Sequence, residues 1–235
     1  MKKIILLLPL ICVILNSCHN EKETHKGPLL GIDVSHFQGD VNWDKIKEHN
    51  ISFAYAKATQ GTSFKDPKFK ENQKNTKQAG LKHGSYHFYL TNEDPIKQAE
   101  HYINTIEDLD EGHMLPMLDL EQGGIKGTVV KDKFQRDVLL WLKTVEEKLG
   151  AKPIIYTNNP FSNKYLDHPE FSNYHLWLAE YGVKEPRIPK TWEKKGWAIW
   201  QRSEKGKLEG SHGDVDHDIV NKAFTLKDLK NHKEE

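Results

Sequence analysis

The sequence contains few cysteines and has no surplus of basic residues. Two of its 235 residues are cysteines, Cys12 and Cys18, and the first lies within an apolar N-terminal run. No cysteine pair is therefore left for a disulfide or a cysteine metal site, so stability must come from a packed core. The 34 Lys and Arg residues equal the 34 Asp and Glu residues in number. This balance gives no sign of the basic patch that a nucleic-acid partner requires.

The first 18 residues have the composition of an export signal. Residues 1–3 include two lysines, and residues 4–15 form an apolar run that is too short to span a bilayer as a stable helix. Ser17 and Cys18 follow, which resembles a bacterial lipobox, in which the cysteine is lipidated. We expect Cys18 to anchor the protein to a bacterial membrane within the cell envelope. An ordinary cleaved signal with an incidental cysteine is the alternative.

The rest of the chain divides into a short polar segment and one domain. Residues 19–28 are polar and charged without an apolar face, which predicts a tether between membrane and domain. Residues 29–235 suit a single domain with a sizeable core. The sequence thus predicts a lipoprotein signal peptide over 1–18, a tether over 19–28 and a domain over 29–235.

Eight short runs of this domain are apolar and rich in β-branched or aromatic residues, as buried parallel strands are. They cover residues 29–35, 53–59, 83–90, 114–121, 153–158, 175–181, 197–203 and 214–220. Helical patterns lie between the early runs, at 43–49, 67–79, 95–107 and 128–149, and a fifth covers 160–166. Two of them begin with proline after Asp66 or Asp94, as capped helices do.

Alternating strands and helices predict an α/β fold with a parallel sheet. Eight strands in about 200 residues indicate an irregular TIM-like (β/α) barrel near the lower size limit. Because one helical pattern alone follows residue 158, we expect about five helices. An open doubly wound sheet is the alternative.

Acidic residues occur at three predicted strand ends, where a barrel enzyme carries its chemistry. Asp33 ends the first strand, and Asp216 begins the last, which neighbours the first in a closed barrel. Asp119 and Glu121 end the fourth strand, and both face the barrel axis because strand side chains alternate. Burying such groups is unfavourable unless they are paired or solvated. We expect these four acids to meet in a functional cleft; a salt-bridged pair that closes the barrel is the alternative.

Carboxyl groups on both sides of a cleft suit the cleavage of a glycosidic bond. One must stay protonated to protonate the leaving oxygen, and another must stay ionised to attack, to activate water or to stabilise positive charge. Side chains at the strand ends are candidates for sugar contacts, although the aromatic ones are also candidates for the core. These candidates are Tyr86, Phe88, Tyr156, Trp177, Lys57 and Gln201.

The segment 212–218 is rich in possible metal ligands, and His87 is expected near the barrel mouth, so a metal hydrolase is a competing interpretation. A hydrolytic metal site normally has about three ligands, often with His-x-x-x-His spacing on a helix. No predicted helix carries that spacing. We therefore expect a polar loop with one functional acid, and neither a metal ion nor another cofactor.

Short segments occur in order on successive predicted strands between residues 30 and 220. They are GIDVSHFQG, FAYAKATQGTSFKDPKF, AGLKHGSYHFY, LPMLDLE, PIIYTN, LWLAEY and WAIWQ followed by GDVDHD. Together they resemble glycoside hydrolase family 25, the Chalaropsis-type lysozymes. The resemblance implies an irregular eight-stranded barrel that acts as an N-acetylmuramidase.

The resemblance also implies roles for individual residues. Glu121 matches the general acid of the family's D-x-E pair, and Asp119 matches its partner. Asp33 and Asp216 match the aspartates of the first and last motifs. The Y-H-F stretch, with Tyr86 and Phe88, matches a sugar-contacting segment.

On this basis we expect a monomer that hydrolyses the β-1,4 bond between N-acetylmuramic acid and N-acetylglucosamine in peptidoglycan. A catalytically inactive peptidoglycan-binding lipoprotein is the alternative, and the stereochemistry stays open. Gln60 departs from the family, in which glutamate commonly follows K-A-T. We expect this change to alter a contact at the rim of the site without removing a catalytic acid.

Overall fold

The computed structural model describes residues 27–107, 109–110 and 112–231. The predicted signal peptide, its Cys18 and residues 19–26 of the predicted tether lie outside these residues. Among the helices of the described segments, none has both the length and the apolar composition needed to cross a membrane.

Eight strands close into a barrel, because β1 pairs with β2 on one side and with β9 on the other. The strands are β1 Leu30–Val34, β2 Ile51–Gln60, β3 Phe64–Lys65, β4 Lys82–Phe88, β5 Met117–Asp119, β6 Ile154–Asn158, β7 His175–Ala179, β8 Ile199–Gly206 and β9 Val215–Val220. The short β3 is not part of the barrel and pairs with the end of β2. The predicted eight-stranded barrel is confirmed, and each predicted run overlaps one barrel strand.

Among the described residues, five α-helices accompany the barrel, in agreement with the prediction. They are α1 Trp43–Glu48, α2 Phe69–Gln78, α3 Pro95–Ile106, α4 Lys131–Leu149 and α5 Asn159–Tyr165. The side chain of Asp94 accepts the N–H of Lys97 and caps α3. The predicted cap of α2 is wrong, because Asp66 instead accepts the N–H groups of His36 at 3.1 Å and Lys68 at 2.9 Å. Asp66 therefore connects the loop after β1 to the loop before α2.

The last barrel strand has the opposite direction to its two neighbours. β9 is antiparallel to both β8 and β1, whereas the other barrel pairs are parallel, so the prediction of a fully parallel barrel is wrong at this strand. Residues 207–214 join β8 to β9 without a helix, and such a short connection returns the chain in the antiparallel direction. β9 therefore begins where the other strands end. This places Asp216 beside the end of β1.

The inside of the barrel is filled by large aromatic side chains. Phe53, Tyr55 and Trp177 are buried and pack edge to face, with the ring centres of Tyr55 and Trp177 4.8 Å apart. Because this packing closes the barrel below its mouth, polar chemistry is confined to the end where the parallel strands finish.

His87 belongs to the layer between the barrel and the helices. It is fully buried and stacks on Trp141 of α4, so the prediction that it lies near the barrel mouth is wrong. Its two ring nitrogens contact Thr59 and Gln98. Burial lowers the pKa of His87 to about 3, so it is a neutral structural residue.

Candidate active site

The acid on β1 meets two acids of β9. Asp33 and Asp216 are direct partners in the antiparallel register, and Asp218 lies two residues further along the same face of β9. The carboxyl group of Asp33 is close enough to both for each to affect its pKa. Asp33 and Asp218 are buried, whereas Asp216 is partly exposed. Asp218 was not among the predicted acids, although the alternation of side chains along the last strand was a signal for it.

These three carboxyl groups cannot all be ionised. Burial raises the pKa of Asp33, and the charge of Asp218 raises it further. Burial and the charge of Asp216 raise the pKa of Asp218. Burial and the charge of Asp33 raise the pKa of Asp216 to about 9. At neutral pH the group therefore retains protons that isolated aspartates would have lost.

Gln201 of β8 fixes the orientation of Asp33. Its Nε2 donates to Asp33 Oδ2 at 2.7 Å, and its Oε1 accepts from the hydroxyl groups of Tyr156 at 2.8 Å and Tyr181 at 2.5 Å. Because both hydroxyl groups donate, the amide atom that they contact is the oxygen, and the nitrogen therefore faces the carboxyl group. Gln201 is buried. Its amide is therefore occupied by Asp33 and two tyrosines, and its burial does not favour the predicted direct contact with a sugar.

Asp119 and Glu121 lie at the end of β5. Asp119 is 8% exposed, and its Oδ1 has no hydrogen-bond partner among the described residues. Burial raises the pKa of Asp119, the charge of Glu121 raises it further, and Lys57 opposes both effects. Burial also raises the pKa of Glu121, again against Lys57. Two adjacent acids of this kind can supply one proton and one negative charge.

The turn beyond Glu121 requires glycine at position 124 and is tightly packed at Gly123. A short 3-10 helix, Gln122–Gly124, begins directly after it. A Cβ atom on Gly124 would come within 2.2 Å of the carbonyl oxygen of Tyr89, and one on Gly123 within 3.0 Å of Glu121 Oε1. This close packing against the segment after β4 holds the partly exposed Glu121 carboxyl group at the mouth.

Lys57 is a buried cation beside this pair. Its Nζ donates to Gln60 Oε1 at 2.7 Å and lies 4.6 Å from the ring centre of Phe88. Burial lowers the pKa of Lys57, whereas the charge of Asp119 is the largest of the effects that raise it. Lys57 therefore balances part of the acidic charge of the site, and Gln60 gives it a neutral acceptor.

Tyr86 links the two groups of acids. It lies on β4 and is 9% exposed. Burial raises the pKa of Tyr86, and the charges of Asp33, Asp119 and Asp216 add to the rise. The charges of all three carboxyl groups act on this one phenol, so the acids of β1, β5 and β9 lie near Tyr86 at the same end of the barrel.

The remaining predicted sugar contacts differ in access. Phe88 is partly exposed next to Lys57. Tyr156 is 8% exposed, and its hydroxyl group donates to Gln201. Trp177 has no exposed surface, and its Nε1 donates to Asp218 Oδ1 at 3.1 Å. The structure contradicts the predicted sugar contact of Trp177, because its ring is enclosed by the barrel interior.

Two exposed aromatic rings that were not predicted as sugar contacts lie next to this mouth. Phe37, in the loop that follows Asp33 and β1, is 78% exposed, and Phe64 of β3 is 39% exposed. The ring of His36 lies between them, with centres 4.2 Å from Phe37 and 5.7 Å from Phe64. Exposed flat apolar surfaces of this kind often mark binding sites.

The segment proposed to bind a metal does not bring its histidines together with its aspartates. Among the described residues, no group of three or more His, Cys, Asp or Glu side chains is arranged to hold a metal ion. His212 is exposed, and His217 lies between the inward-facing Asp216 and Asp218 and so points outward. The competing interpretation therefore lacks a convergent ligand set in this part of the chain.

Two hollows of the surface differ in their relation to the acids. A cavity of about 490 Å³ is lined by residues at the ends of β6 and β7 and by Gln122, the neighbour of Glu121. A groove of about 1080 Å³ lies against β8, β9 and the chain before β1, and none of the acids lines it. The larger groove therefore lies apart from the acids, and the acids define the candidate active site.

Comparison with known proteins identifies relatives over most of the domain. The Glycosyl hydrolases family 25 model matches residues 32–211. Lysozyme M1 of Streptomyces globisporus is 32% identical over 200 residues, which cover 81% of this chain and 67% of that protein. The uncharacterized protein YegX of Escherichia coli strain K12 is 31% identical over 196 residues, which cover 81% of this chain and 69% of that protein.

Solved structures share the barrel. The bacterial lysozyme from Streptomyces coelicolor has a TM-score of 0.80 at 29% identity, over 87% of this chain and 96% of that chain. A family GH25 lysozyme from Aspergillus fumigatus has a TM-score of 0.77 at 26% identity, over 87% of this chain and 100% of that chain. The matched residues include Asp33, Asp119 and Glu121 and end before Asp216. This chain belongs to the glycosyl hydrolases of family 25.

Proposed function

We propose that this chain hydrolyses the β-1,4 glycosidic bond between N-acetylmuramic acid and N-acetylglucosamine in peptidoglycan. Membership of the family and the relatives named lysozyme support this activity. The observation that carries the proposal is the arrangement around Tyr86, with Asp119 on one side and Asp33 with Asp216 on the other. A glycan strand in this mouth meets carboxyl groups from both sides, as hydrolysis requires.

Glu121 is the general acid in this proposal. It is the more exposed member of its pair, and burial keeps the pKa of Glu121 above its ordinary value, so it can carry a proton to a bound sugar. In the proposed reaction the deeper Asp119 carries the negative charge, which the cation of Lys57 favours by lowering the pKa of Asp119 against the opposing effects of burial and of the Glu121 charge. That charge stabilises the oxocarbenium-like transition state once the leaving oxygen has taken the proton from Glu121.

Asp216 is the acid on the opposite side that reaches the substrate. Because its pKa is about 9, it is protonated at neutral pH and can donate a hydrogen bond. A donor there can polarise the acetamido group of the sugar or orient the attacking water. Asp33 supports Asp216 from behind and is itself held by Gln201.

Mass spectrometry of digested muropeptides tests the activity. Purified peptidoglycan treated with the protein should release fragments whose new reducing end is N-acetylmuramic acid. Fragments that end in N-acetylglucosamine, or cleavage of a peptide bond, would contradict the proposal. Binding to the cell wall without any soluble product would identify the inactive alternative.

We further propose that the protein is exported as a monomer and is anchored through lipid on Cys18. The apolar run before Ser17 and Cys18 supports this proposal. The topology is also compatible with it, because the chain enters β1 at the barrel end opposite the acids. An anchor attached there leaves the mouth facing away from the bilayer.

Metabolic labelling with a fatty acid tests the anchor. Cys18→Ser should lose both the label and the membrane association, and the released protein should elute as a monomer. A label that persists in Cys18→Ser would contradict lipidation at this residue.

A further inference from the structure

The larger groove lies where the barrel has no helix around it. Each of the five α-helices follows an earlier strand. Residues 180–198, which join β7 to β8, contain a short 3-10 helix, Lys190–Trp192, but no α-helix. Residues 207–214 turn from β8 directly into β9. The outer face of β8 and β9 therefore has no helix packed over it, and the groove of about 1080 Å³ lies there.

Apolar side chains that point outward from the barrel line this groove. Trp200 and Ile219 are partners across the β8–β9 pair, and their neighbours Gln201 and Asp218 face inward. Because strand side chains alternate, Trp200 and Ile219 point away from the barrel. Trp197 packs against Trp200 with ring centres 6.1 Å apart, and both rings are partly exposed. A groove of this size with aromatic and aliphatic walls suits a ligand with an apolar body.

Three lysines accompany the apolar lining. Lys184, Lys222 and Lys227 are exposed, and Glu185 is the one acid among the described residues that line the groove. Neither Lys184 nor Lys222 forms an ion pair with another residue that the structure describes. Apolar surface next to uncompensated positive charge matches an amphiphile that has an apolar tail and an anionic head.

The chain reaches β1 along the same groove. Gly27, Pro28 and Leu29 belong to its lining. Cys18 is nine residues before Gly27 in the sequence, and nine residues span at most about 30 Å. An anchor at Cys18 would therefore keep the groove within that distance of a bilayer. Because none of the acids of the mouth lines the groove, a contact there leaves the mouth accessible.

We propose that this groove binds anionic phospholipid at a bilayer surface. The acyl region of the lipid contacts Trp197 and Trp200, at the depth where tryptophan is enriched in membrane proteins. The phosphate group lies beside Lys184 and Lys222, which it attracts by charge. The contact turns the β8–β9 face of the domain towards the membrane and adds to the binding that an anchor provides.

Quenching of tryptophan fluorescence by brominated lipid tests the contact. The chain has six tryptophans; Trp197 and Trp200 are partly exposed, and the other four are at most 4% exposed. On vesicles of phosphatidylglycerol and phosphatidylcholine with brominated acyl chains, the whole chain should lose emission relative to vesicles without bromine. The loss should disappear when Trp197 and Trp200 are both replaced by Phe. No loss in the unmodified protein, or an equal loss in the double variant, would overturn the proposal.

The combination of Lys184→Glu with Lys222→Glu tests the class of lipid and leaves the tryptophans in place. Quenching should fall at least about twofold, because two cations beside the phosphate become anions. Vesicles of phosphatidylcholine alone should give a similar fall with the unmodified protein. Lys70→Glu with Lys74→Glu is the matched control, because it makes the same change of charge on α2, which packs on β2 and β4. Equal quenching in the groove variant or on neutral vesicles would overturn the assignment of an anionic lipid.

Two comparisons separate this contact from the other proposals. The Lys184→Glu, Lys222→Glu variant should hydrolyse soluble glycan fragments as fast as the unmodified protein, and a protein without hydrolytic activity would leave the quenching result intact. Less Cys18→Ser protein should bind to the vesicles, but the bound fraction should still be quenched. Bound Cys18→Ser without quenching would show that the anchor alone brings lipid to the tryptophans, which would overturn the proposal. Self-association without quenching would assign the groove to a second copy of the chain and would also overturn it.

Discussion

Asp33 and Asp216 are partners across the β1–β9 pair although they come from opposite ends of the domain. Their pairing depends on the direction of β9. A parallel last strand would bring its end to the end of β1, whereas the antiparallel β9 brings its start there. The pairing of β1 with β9 therefore both closes the barrel and brings the acids on this side of the mouth together.

Replacement of Glu121 by Gln should nearly abolish hydrolysis. The amide keeps the shape of the side chain but cannot protonate the leaving oxygen, so kcat should fall on the order of 10²- to 10⁴-fold. Release of soluble fragments from purified peptidoglycan measures the loss. Glu204→Gln is the matched control, because Glu204 is exposed and affects Glu121 only through its charge. Unchanged lysis by Glu121→Gln would refute the assignment of the general acid.

Replacement of Lys57 by Met should move the pH profile. The charge of Lys57 lowers the pKa of both Asp119 and Glu121. Without it, Glu121 stays protonated to higher pH, so the alkaline limb of kcat/KM should move to higher pH. Gln60→Glu, which adds a negative charge at the Lys57 ammonium, should move the limb in the same direction by a smaller amount. A limb that moves to lower pH in Lys57→Met would contradict this account.

The strand pattern of the sequence predicts the barrel because each strand is short, apolar and bounded by polar residues. The spacing of Asp119 and Glu121 likewise places both acids at one strand end, since residues two apart share a face. These features depend on local alternation, which a sequence displays directly. The acids at this strand end could therefore be identified without coordinates, whereas their catalytic roles still require experiment.

The direction of β9 could not be predicted in this way. The alternation of its side chains is the same in either direction. Only the preceding connection, which is short and contains no helix, indicates the reversal. Trp177 and Gln201 were equally ambiguous, because an aromatic or an amide at a strand end serves a cleft or a core depending on its neighbours. Their burial depends on contacts with Asp218 and Asp33, which are distant in the sequence.

Replacement of Gln201 by Met should impair both stability and catalysis. Asp33 loses its N–H donor, and the buried hydroxyl group of Tyr156 loses its acceptor. A buried polar group left without a partner costs about 1–3 kcal/mol of unfolding free energy. Misplacement of Asp33 should lower kcat by up to about 10²-fold.

Tyr181→Phe is the graded comparison for Gln201→Met, because it removes one of the two donors to Gln201 and leaves the amide in place. It should cause a smaller loss of kcat. Chemical denaturation and initial rates measure the two effects. Equal losses in Tyr181→Phe and Gln201→Met would show that the amide has no separate role.

Replacement of Phe37 by Ala should weaken substrate binding without affecting the fold. Phe37 is 78% exposed beside the mouth, so its loss removes a surface on which a sugar can stack. A stacking contact of about 0.5–1.5 kcal/mol corresponds to roughly a 2- to 13-fold rise in KM. Leu140→Ala, on α4 and 42% exposed, is the matched control and should leave KM unchanged. A loss confined to kcat would argue against a binding surface at Phe37.

Replacement of Asp216 by Asn should stabilise the protein in a pH-dependent manner. The pKa of Asp216 rises from 3.8 to about 9 on folding, so between these values the folded state retains a proton that the unfolded chain releases. The unfolded state then binds fewer protons, and stability falls as the pH rises through this window. An amide carries no such penalty. The stabilisation should therefore be absent below about pH 4, increase with pH and level off above about pH 9.

Thermal unfolding at several pH values measures this effect. A stabilisation of about 1 kcal/mol at neutral pH corresponds to a rise in Tm of roughly 2–4 °C for a domain of this size. Asp214→Asn is the control, because Asp214 is an exposed acid two residues earlier and pairs with Lys207 at the surface. A gain in Asp216→Asn that is the same at every pH would mean that altered packing, and not a retained proton, is responsible. A gain in stability that increases with pH, together with a loss of hydrolysis, would show that Asp216 destabilises the fold but is needed for activity.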